Sequence, residues 1–527
     1  MREQVTHPTD PLAEPPLRVV DVAVVGAGPA GMAAAVAAAE AGAGVVLLDA
    51  GGQLGGQYWR HPAEAGPDPH GGRGCERGGH GSGPDEHEHG SDEPEPDGPE
   101  PDGHGHHGWA TFLDLRARIG AAARTGTLEH RPWTSVWLAE RDGDLFRLRT
   151  TPVPEAPPPH PSPRGDVLAR RLVLAPGAYD RQLPVPGWDL PGVVTAGGAQ
   201  ALLKGSGVLV GRRVVVAGTG PFLLPVAAGL ADGGAHVVAL CEAADPRRWA
   251  RHAGTALRQG TKLAEAAGYA VRLARHRVRP RTRTVVTEIL GTDRVTGARL
   301  ARVDAAGAVT GPATAVAADS VALGWGFTPQ LELPLMLGAA TAIGADGSLV
   351  VRVDPAQRAS VPGLYVAGEA TGVGGAALAV AEGHVAGRAA AGAPPDPARR
   401  REVLNHRAFA RAMHAVYPVP AAWPAWPAGE TLVCRCEEVS AATLRTACHD
   451  LGADDPRAAR SLARVGMGRC QGRVCGWAAA SLLAAETGRD LTDDDLLASS
   501  RRPLAAHVPL GTLAGLDTAA DQEGSTP

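Results

Sequence analysis

Lysine is almost missing from this 527-residue chain: among its 51 basic residues only Lys204 and Lys262 are lysines, a bias attributed to genome composition. Aromatic residues are few (4%), charged residues make up 20%, and the formal net charge is only −5, so no basic excess marks a nucleic-acid binder. The opening stretch MREQVTHPTDPLAEPPL has neither a basic start nor an apolar core, which argues against an export signal and leads to the expectation of a cytoplasmic protein. The one run that invites a transmembrane reading, VAVVGAGPAGMAAAVAAA, is too rich in Gly and Ala to be strongly hydrophobic. Cysteine is scarce too, seven in all, and in a reducing compartment close cysteines are metal ligands or redox groups more often than structural disulfides.

Apolar side chains are also absent locally. Between Ala65 and Gly108 there is no Val, Ile, Leu, Met or aromatic residue, and such a segment cannot offset its ordering entropy. We therefore expect 61–108 to be a disordered insertion, which a folded core tolerates because loop closure costs little per added residue. It carries 12 acids against 2 arginines and eight of the 19 histidines. The remainder of the chain is thus mildly basic, near +5. The run His104, His106, His107 leaves weak metal binding open beside the solvated reading.

What is present begins with DVAVVGAGPAGMAAAVAAAEAGAGVVLLDAGG, which reads as strand, glycine turn, Ala-rich helix and second strand. Gly26, Gly28 and Gly31 have GxGxxG spacing at the strand-to-helix turn, where they permit close approach of a pyrophosphate to the helix N-terminus. Asp49, 18 residues after Gly31, is placed to accept ribose hydroxyls. A second βαβ unit, RRVVVAGTGPFLLPVAAGLADGGAHVVALCEAA, offers Gly218, Gly220 and Glu242. Here Leu223 stands where the third glycine belongs and should push helix and strand apart. Glu242 favours an unphosphorylated ribose, as in NAD, while Arg247, Arg248 and Arg251 suit the 2′-phosphate of NADP. A nucleotide fold that has lost its ligand stays open. SVWLAERDGDLFRLRTT reads as a hairpin around a D-G turn, and LARRLVLAPGAYD as a buried strand.

Two such units in one chain resemble the two-dinucleotide-binding flavoproteins of the glutathione reductase class. LVLAPGAYDR resembles that class's strand-to-glycine crossover, with Pro176 in place of Thr, and VPGLYVAGEATGVGGAALAVAEGHVAG resembles its late FAD segment, with Glu369 in place of Asp. The resemblance implies FAD at the first site, held by Gly26, Gly28, Gly31, Asp49, Val136, Ala175, Gly177, Gly368, Glu369, Gly374 and Gly375. It implies a discontinuous FAD domain (17–205 and 326–395) interrupted by an adenine-nucleotide domain (206–325). No C-x2-C pair lies near either loop, so disulfide-reductase chemistry is unsupported. Cys241, alone in an apolar strand, reads as core.

Four cysteines fall in two tight pairs, Cys434 with Cys436 and Cys470 with Cys475, separated by 33 residues. Zinc sites prefer C-x2-C pairs, whereas four thiolates spread over two irons tolerate wider, unequal spacing, so a [2Fe-2S] cluster leads over zinc or no metal. Short helices surround the pairs, each followed by a glycine: SAATLRTACHDLGA, where Cys448 packs with Leu444 and Leu451, PRAARSLARVG and GWAAASLLAAETG. Arg435, Arg469 and Arg473 would offset thiolate charge.

LVCRCEEVSAATLR with VGMGRCQGRVCG resembles the cluster domain related to bacterioferritin-associated ferredoxin. GGQYWR, LPVPGWDLPGVVTAGGAQALLK and VALGWGFTPQLELP resemble the FAD-containing larger subunits of opine oxidase, hydrogen cyanide synthase and dye-linked L-proline dehydrogenase. This resemblance adds Gly55, Gly56 and Gln57 as flavin contacts and makes Cys434, Cys436, Cys470 and Cys475 cluster ligands. The expectation is an α/β protein with two Rossmann-like domains, a linker (396–430), a small all-α [2Fe-2S] domain (431–490) and a tail (491–527). It would transfer electrons between a smaller FAD-dependent amine-oxidising subunit, its hetero-oligomeric partner, and a downstream acceptor. Two alternatives remain, a stand-alone NAD(P)H-dependent reductase and a zinc-bound docking module.

Overall fold

The computed structural model describes residues 19–62, 108–153 and 165–514. The acidic insertion, apart from its end residues, and Cys75 within it lie outside the described residues.

The Val-rich run after Leu17 forms β1 (Val19–Val25), followed by α1 (Pro29–Glu40) and β2 (Val45–Leu48). Pro29 suits the first turn of α1 because its missing N–H needs no partner there. Then come α2 (Trp109–Arg124), β3 (Leu128–Arg131), the hairpin β4 (Thr134–Asp142) and β5 (Leu145–Pro152), and β6 (Val167–Leu174). They build a sheet in the order β3-β2-β1-β6-β5-β4. β1 runs parallel to β2 and β6, while β4 and β5 are antiparallel and turn at Gly143. A three-residue strand, β7 (Ala178–Asp180), leads out.

The second unit starts earlier than position 206. β8 (Val193–Thr195) already pairs with its sheet, and α3 (Ala196–Ser206) packs on its core through Ala196 and Ala199. Three residues of strand carry no readable period, which is why the boundary was hidden. Next are β9 (Arg213–Gly218), α4 (Leu223–Asp232), β10 (His236–Glu242), α5 (Ala253–Leu257), α6 (Gly260–Arg275) and β11 (Pro280–Thr282). A meander, β12 (Thr284–Gly291), β13 (Val295–Arg302) and β14 (Thr314–Ala317), precedes β15 (Ser320–Gly324). The parallel sheet runs β11-β10-β9-β15-β8.

The chain returns through β16 (Phe327–Pro329), which pairs antiparallel with β7, so outgoing and returning segments lie side by side. After α7 (Glu332–Met336), β17 (Thr341–Ile343) and β18 (Leu349–Val351), strand β19 (Leu364–Val366) joins β6 in parallel and completes the first sheet. α8 (Ala376–Ala390) then packs directly on α1: a Cβ on Gly383 would meet the Ala30 carbonyl at 2.0 Å, and one on Gly387 the Ala34 carbonyl at 2.1 Å.

The expected linker is mostly helix. α9 (Pro397–Val416), capped by Asp396, spans its first half, and only the residues after it are irregular. Nor is the cysteine region all helical, because β20 (Leu432–Cys434) pairs with β21 (Val439–Ser440) ahead of α10 (Ala441–His449), α11 (Pro456–Ala463) and α12 (Gly476–Glu486). α11 ends on Arg464 in the left-handed conformation rather than on a glycine. Leu451 is 55% exposed and does not share the face of Cys448 and Leu444. The expected tail contributes α13 (Asp493–Ser500), closed by a capping box between Thr492 and Asp495. This region is welded to both larger units. Val433, Leu444 and Leu482 share a core with Leu183, Val215 and Leu323, while Ala480 and Leu496 join Leu333 and Val351.

Candidate flavin and thiolate sites

The first glycine turn is as tight as its spacing requires. A Cβ on Gly31 would lie 1.6 Å from the Gly26 carbonyl, and one on Gly26 would lie 2.3 Å from that of Ala175. Gly28 is different: nothing stands within 4 Å of its Cβ position, and no side chain caps α1. That leaves N–H donors facing open space, the geometry an anionic pyrophosphate needs. Gly55 donates to the Ala27 carbonyl, and a Cβ on Gly56 would come 2.8 Å from the Gly28 Cα, so the GGQ turn lies over the same opening. Gln57 accepts from Arg60 at 2.7 Å.

Asp49 ends β2 with backbone N–H groups of Gly51, Ala27 and Ala50 around its carboxylate, and burial still pushes it up to about 6. The Asp49 carbonyl accepts from Thr134 N, which brings the start of β4 and hence Val136 to the same end of the sheet. Gly177 and Gly375 have positive φ with open space at their Cβ positions. Gly368 comes against Ala30 of α1, and Gly374 closes on Leu378 of α8. Glu369 accepts from Gly375 N at 3.0 Å, whereas its Oε2 is buried without a partner. Burial lifts its carboxyl to about 7. Open glycine surfaces, an uncapped helix start and an orphaned buried oxygen together fit a flavin dinucleotide.

Two residues of this site, Glu382 and Arg407, gave no sequence signal. Glu382, fully buried on α8, accepts from Gly368 N (2.9 Å), Thr371 Oγ1 (2.8 Å) and Arg407 Nε (2.8 Å). It fixes the Gly368 turn and ties it to α9. A Glu in an Ala-rich helix looks solvated; only the fold reveals its partners.

In the second unit Gly218 and Gly220 make the turn, and Leu223 does not force helix and strand apart. Gly324 on β15 lacks the side chain that would collide, since a Cβ there would meet Leu223 Cδ2 at 2.9 Å. Glu242 spends both oxygens locally, Oε1 on Thr219 Oγ1 and Ala244 N and Oε2 on Gly220 N. Burial raises it to about 7. The segment after β10 is covered by α9 and its exit: Trp249 stacks on Phe409 at 5.3 Å and donates to Tyr417 at 3.4 Å. Arg247 and Arg251 are exposed there. Cys241 is core, its thiol pushed up by burial to about 12.

The four paired cysteines come together. Cys475 hydrogen-bonds both Cys434 and Cys470, and Cys470 also meets Cys436. Those bonds draw Cys434 down to about 6 and Cys470 to about 4, while Cys475 is raised and holds its proton. Burial raises Cys436. The contacts form a chain. Among the described residues no three His, Cys, Asp or Glu side chains converge on one position for a single metal ion. Cys475 stands at the start of α12, and Ser440 caps α10 by accepting from Thr443 N. Of the three arginines expected to face the thiols, Arg435 turns to the Trp188 ring and the Asp189 carbonyl and Arg469 is exposed. Arg473 alone is engaged, donating to the Cys470 carbonyl at 3.3 Å.

Comparison with known proteins bears on the flavin site. The opine oxidase A subunit of Rhizobium meliloti (strain 1021) is 31% identical over 530 residues, covering 94% of this chain and 98% of that protein. The chain belongs to the family of that opine oxidase component. Hydrogen cyanide synthase subunit HcnB of Pseudomonas protegens is 28% identical over 88% of this chain and 92% of its own length. Two family profiles match, "Pyridine nucleotide-disulphide oxidoreductase" over 150–386 and "FAD dependent oxidoreductase" over 21–61. The L-proline dehydrogenase of P. horikoshii shares the fold, with a TM-score of 0.62 at 19% identity over 94% of this chain and 79% of that one. This member of the opine oxidase family is therefore an FAD-dependent oxidoreductase. No described helix is long and apolar enough to cross a membrane.

Proposed function

We propose that this chain is the electron-transferring subunit of a heteromeric amine or amino-acid dehydrogenase of the opine, proline, sarcosine or glycine type. FAD would lie on the first glycine turn and a [2Fe-2S] cluster on Cys434, Cys436, Cys470 and Cys475. The observation that carries it is the gathering of these four thiols, from segments 33 residues apart, in a region packed on the flavin unit. Two relatives are named as subunits, which supports a smaller FAD-dependent partner that oxidises the substrate and an acceptor further on. When bound, FAD supplies two-electron exchange and the cluster one-electron exchange, so together they convert pairs into single electrons.

The chain's own residues do the holding. Gly26, Gly28 and Gly31 leave room for the pyrophosphate, Asp49 accepts hydroxyl donors, and Glu382 with Arg407 keeps the Gly368 turn in place. In the cysteine region, Cys434 and Cys470 are already drawn toward the thiolate form, and Cys436 and Cys475 would give up their protons on binding iron. Anaerobic purification should give about two irons and two acid-labile sulfides per chain, as a two-iron centre requires. Zinc in their place would remove the cluster.

A second reading, a stand-alone NAD(P)H-dependent reductase, is favoured by Gly218, Gly220 and Glu242 at the second turn. Against it, Glu242 has no free oxygen, and Trp249 and Tyr417 cover the segment where adenosine would rest. Rapid bleaching of the isolated chain by NADH would establish that reading. Bleaching only with an amine and a co-purified flavoprotein would establish the first.

A further inference from the structure

Two guanidiniums lie buried beside the cysteine loop against one carboxylate. Arg473, inside the Cys470–Cys475 loop, is 12% exposed and pairs with Glu332 Oε1 at 2.9 Å; Arg502, 8% exposed, pairs with the same oxygen at 3.2 Å. Glu332 itself is 5% exposed. All their other hydrogen bonds go to neutral acceptors. Arg473 donates to Tyr179 Oη (3.0 Å), Gln471 Oε1 (3.2 Å) and the carbonyls of Cys470 (3.3 Å) and Ala505 (2.7 Å). Arg502 donates to the carbonyls of Gln471 and Ser500, both at 2.8 Å. Among the described residues this node therefore carries one uncompensated positive charge. Burial holds Arg502 below its ordinary basicity, and Arg473 and Arg460 add to the repulsion.

A cation that is buried and unpaired is unfavourable unless an anion stands near. The loop that Arg473 grips carries Cys470 and Cys475, and a set of thiolates there is the anion the node lacks. The opposite end of the node is Tyr179, two residues beyond Gly177 of the flavin crossover. Tyr179 accepts from Arg473 and donates to Glu332 at 3.4 Å. The node thus spans flavin unit and cysteine loop.

We infer that Arg473, held by Glu332 and Tyr179, is a positioning residue that raises the reduction potential of the thiolate-bound centre and fixes its loop to the flavin unit. The inference rests on the [2Fe-2S] reading above. Reduction adds one electron, and so one negative charge, to that centre, and a fixed cation in a low-dielectric setting favours the more negative form.

The test is a potentiometric titration of the full-length protein with dithionite, following the cluster by EPR and the flavin by absorbance. Arg473→Met should lower the cluster midpoint, so that at a fixed poise the ratio of reduced to oxidised cluster falls about tenfold, with flavin midpoint, iron and sulfide unchanged. Glu332→Gln, which leaves more positive charge at the node, should raise the midpoint; loosened packing admits water and would also raise it, so the fall in Arg473→Met is the direction that packing loss does not produce. If Arg473→Met fails to retain iron, Arg473→Gln, which keeps a polar side chain in the loop without the charge, takes its place and should lower the midpoint likewise. Midpoints that stay at the wild-type value in iron-loaded variants overturn the inference. Wild-type protein without iron and sulfide overturns the cluster reading itself, a different failure seen before any variant is made.

Discussion

Glu382 is fully buried and Glu369 half-buried within the same turn-and-helix unit, and only Glu382 has a cation, Arg407. Glu369 keeps a buried oxygen without a partner, and its carboxyl is lifted from 4.5 to about 7, chiefly by burial and further by Glu382. An acid whose folded value lies above its unfolded one binds more protons in the folded state between the two values, so stability falls as pH rises from about 4.5 to 7. Flavin-free protein should therefore have a lower urea midpoint at pH 8 than at pH 5, and Glu369→Gln should reduce that difference. Equal pH dependence in both proteins would mean that Glu369 is hydrated. At this scale the glycines and Asp49 were legible because backbone sterics and strand-end acids follow fixed spacing. Glu382, Arg407, Glu332 and Arg502 were not, since charged residues on helices and loops look solvated until the partner across the fold is known.

Elements were easiest to read where the period was long. Both βαβ units and the D-G hairpin fall where alternation and turn residues put them. β8, β16 and β20, three residues each, have no period of their own and form because neighbouring strands supply partners. α9 was hidden by its charge; twenty residues with many arginines resemble a solvated connector, but Val403, Ala410 and Val416 bury one face. The contact of α1 with α8 shows how an element pair can hold a site. Gly383 and Gly387 let the helices approach backbone to backbone, and this approach positions the Gly368 turn over α1. Gly383→Ala places a methyl 2.0 Å from a backbone carbonyl, so the helices must separate, at a cost of about 1–3 kcal/mol. The thermal midpoint should drop and FAD should dissociate more readily on dilution. Retention of FAD at wild-type affinity would separate helix packing from flavin binding.

At the scale of the whole molecule the cysteine region is not a module on a tether. Trp188 Nε1 donates to the Leu432 carbonyl at 2.6 Å, Trp426 Nε1 to Gly307 at 3.1 Å, and Trp477 Nε1 to Gly347 at 2.9 Å. Arg181, buried in the flavin unit, stacks over the Trp477 ring at 4.5 Å and pairs with Asp346 at 2.8 Å. The expectation of a small all-α domain beyond a linker came partly from local helix patterns, which carry no information about which faces are covered by other units. Removing 431–527 would expose Leu183, Trp188 and Trp423 of one core and Leu333 and Leu349 of another, apolar surface that in water costs roughly 25 cal/mol per Å². A chain ending at Glu430 should therefore accumulate as insoluble protein or melt well below the intact chain even with excess FAD. A separable module predicts the opposite, a soluble truncated flavoprotein with the melting point of the parent. Measuring soluble yield and thermal midpoint of the two proteins side by side decides whether the cysteine region and the flavin unit form one rigid body or meet across a joint.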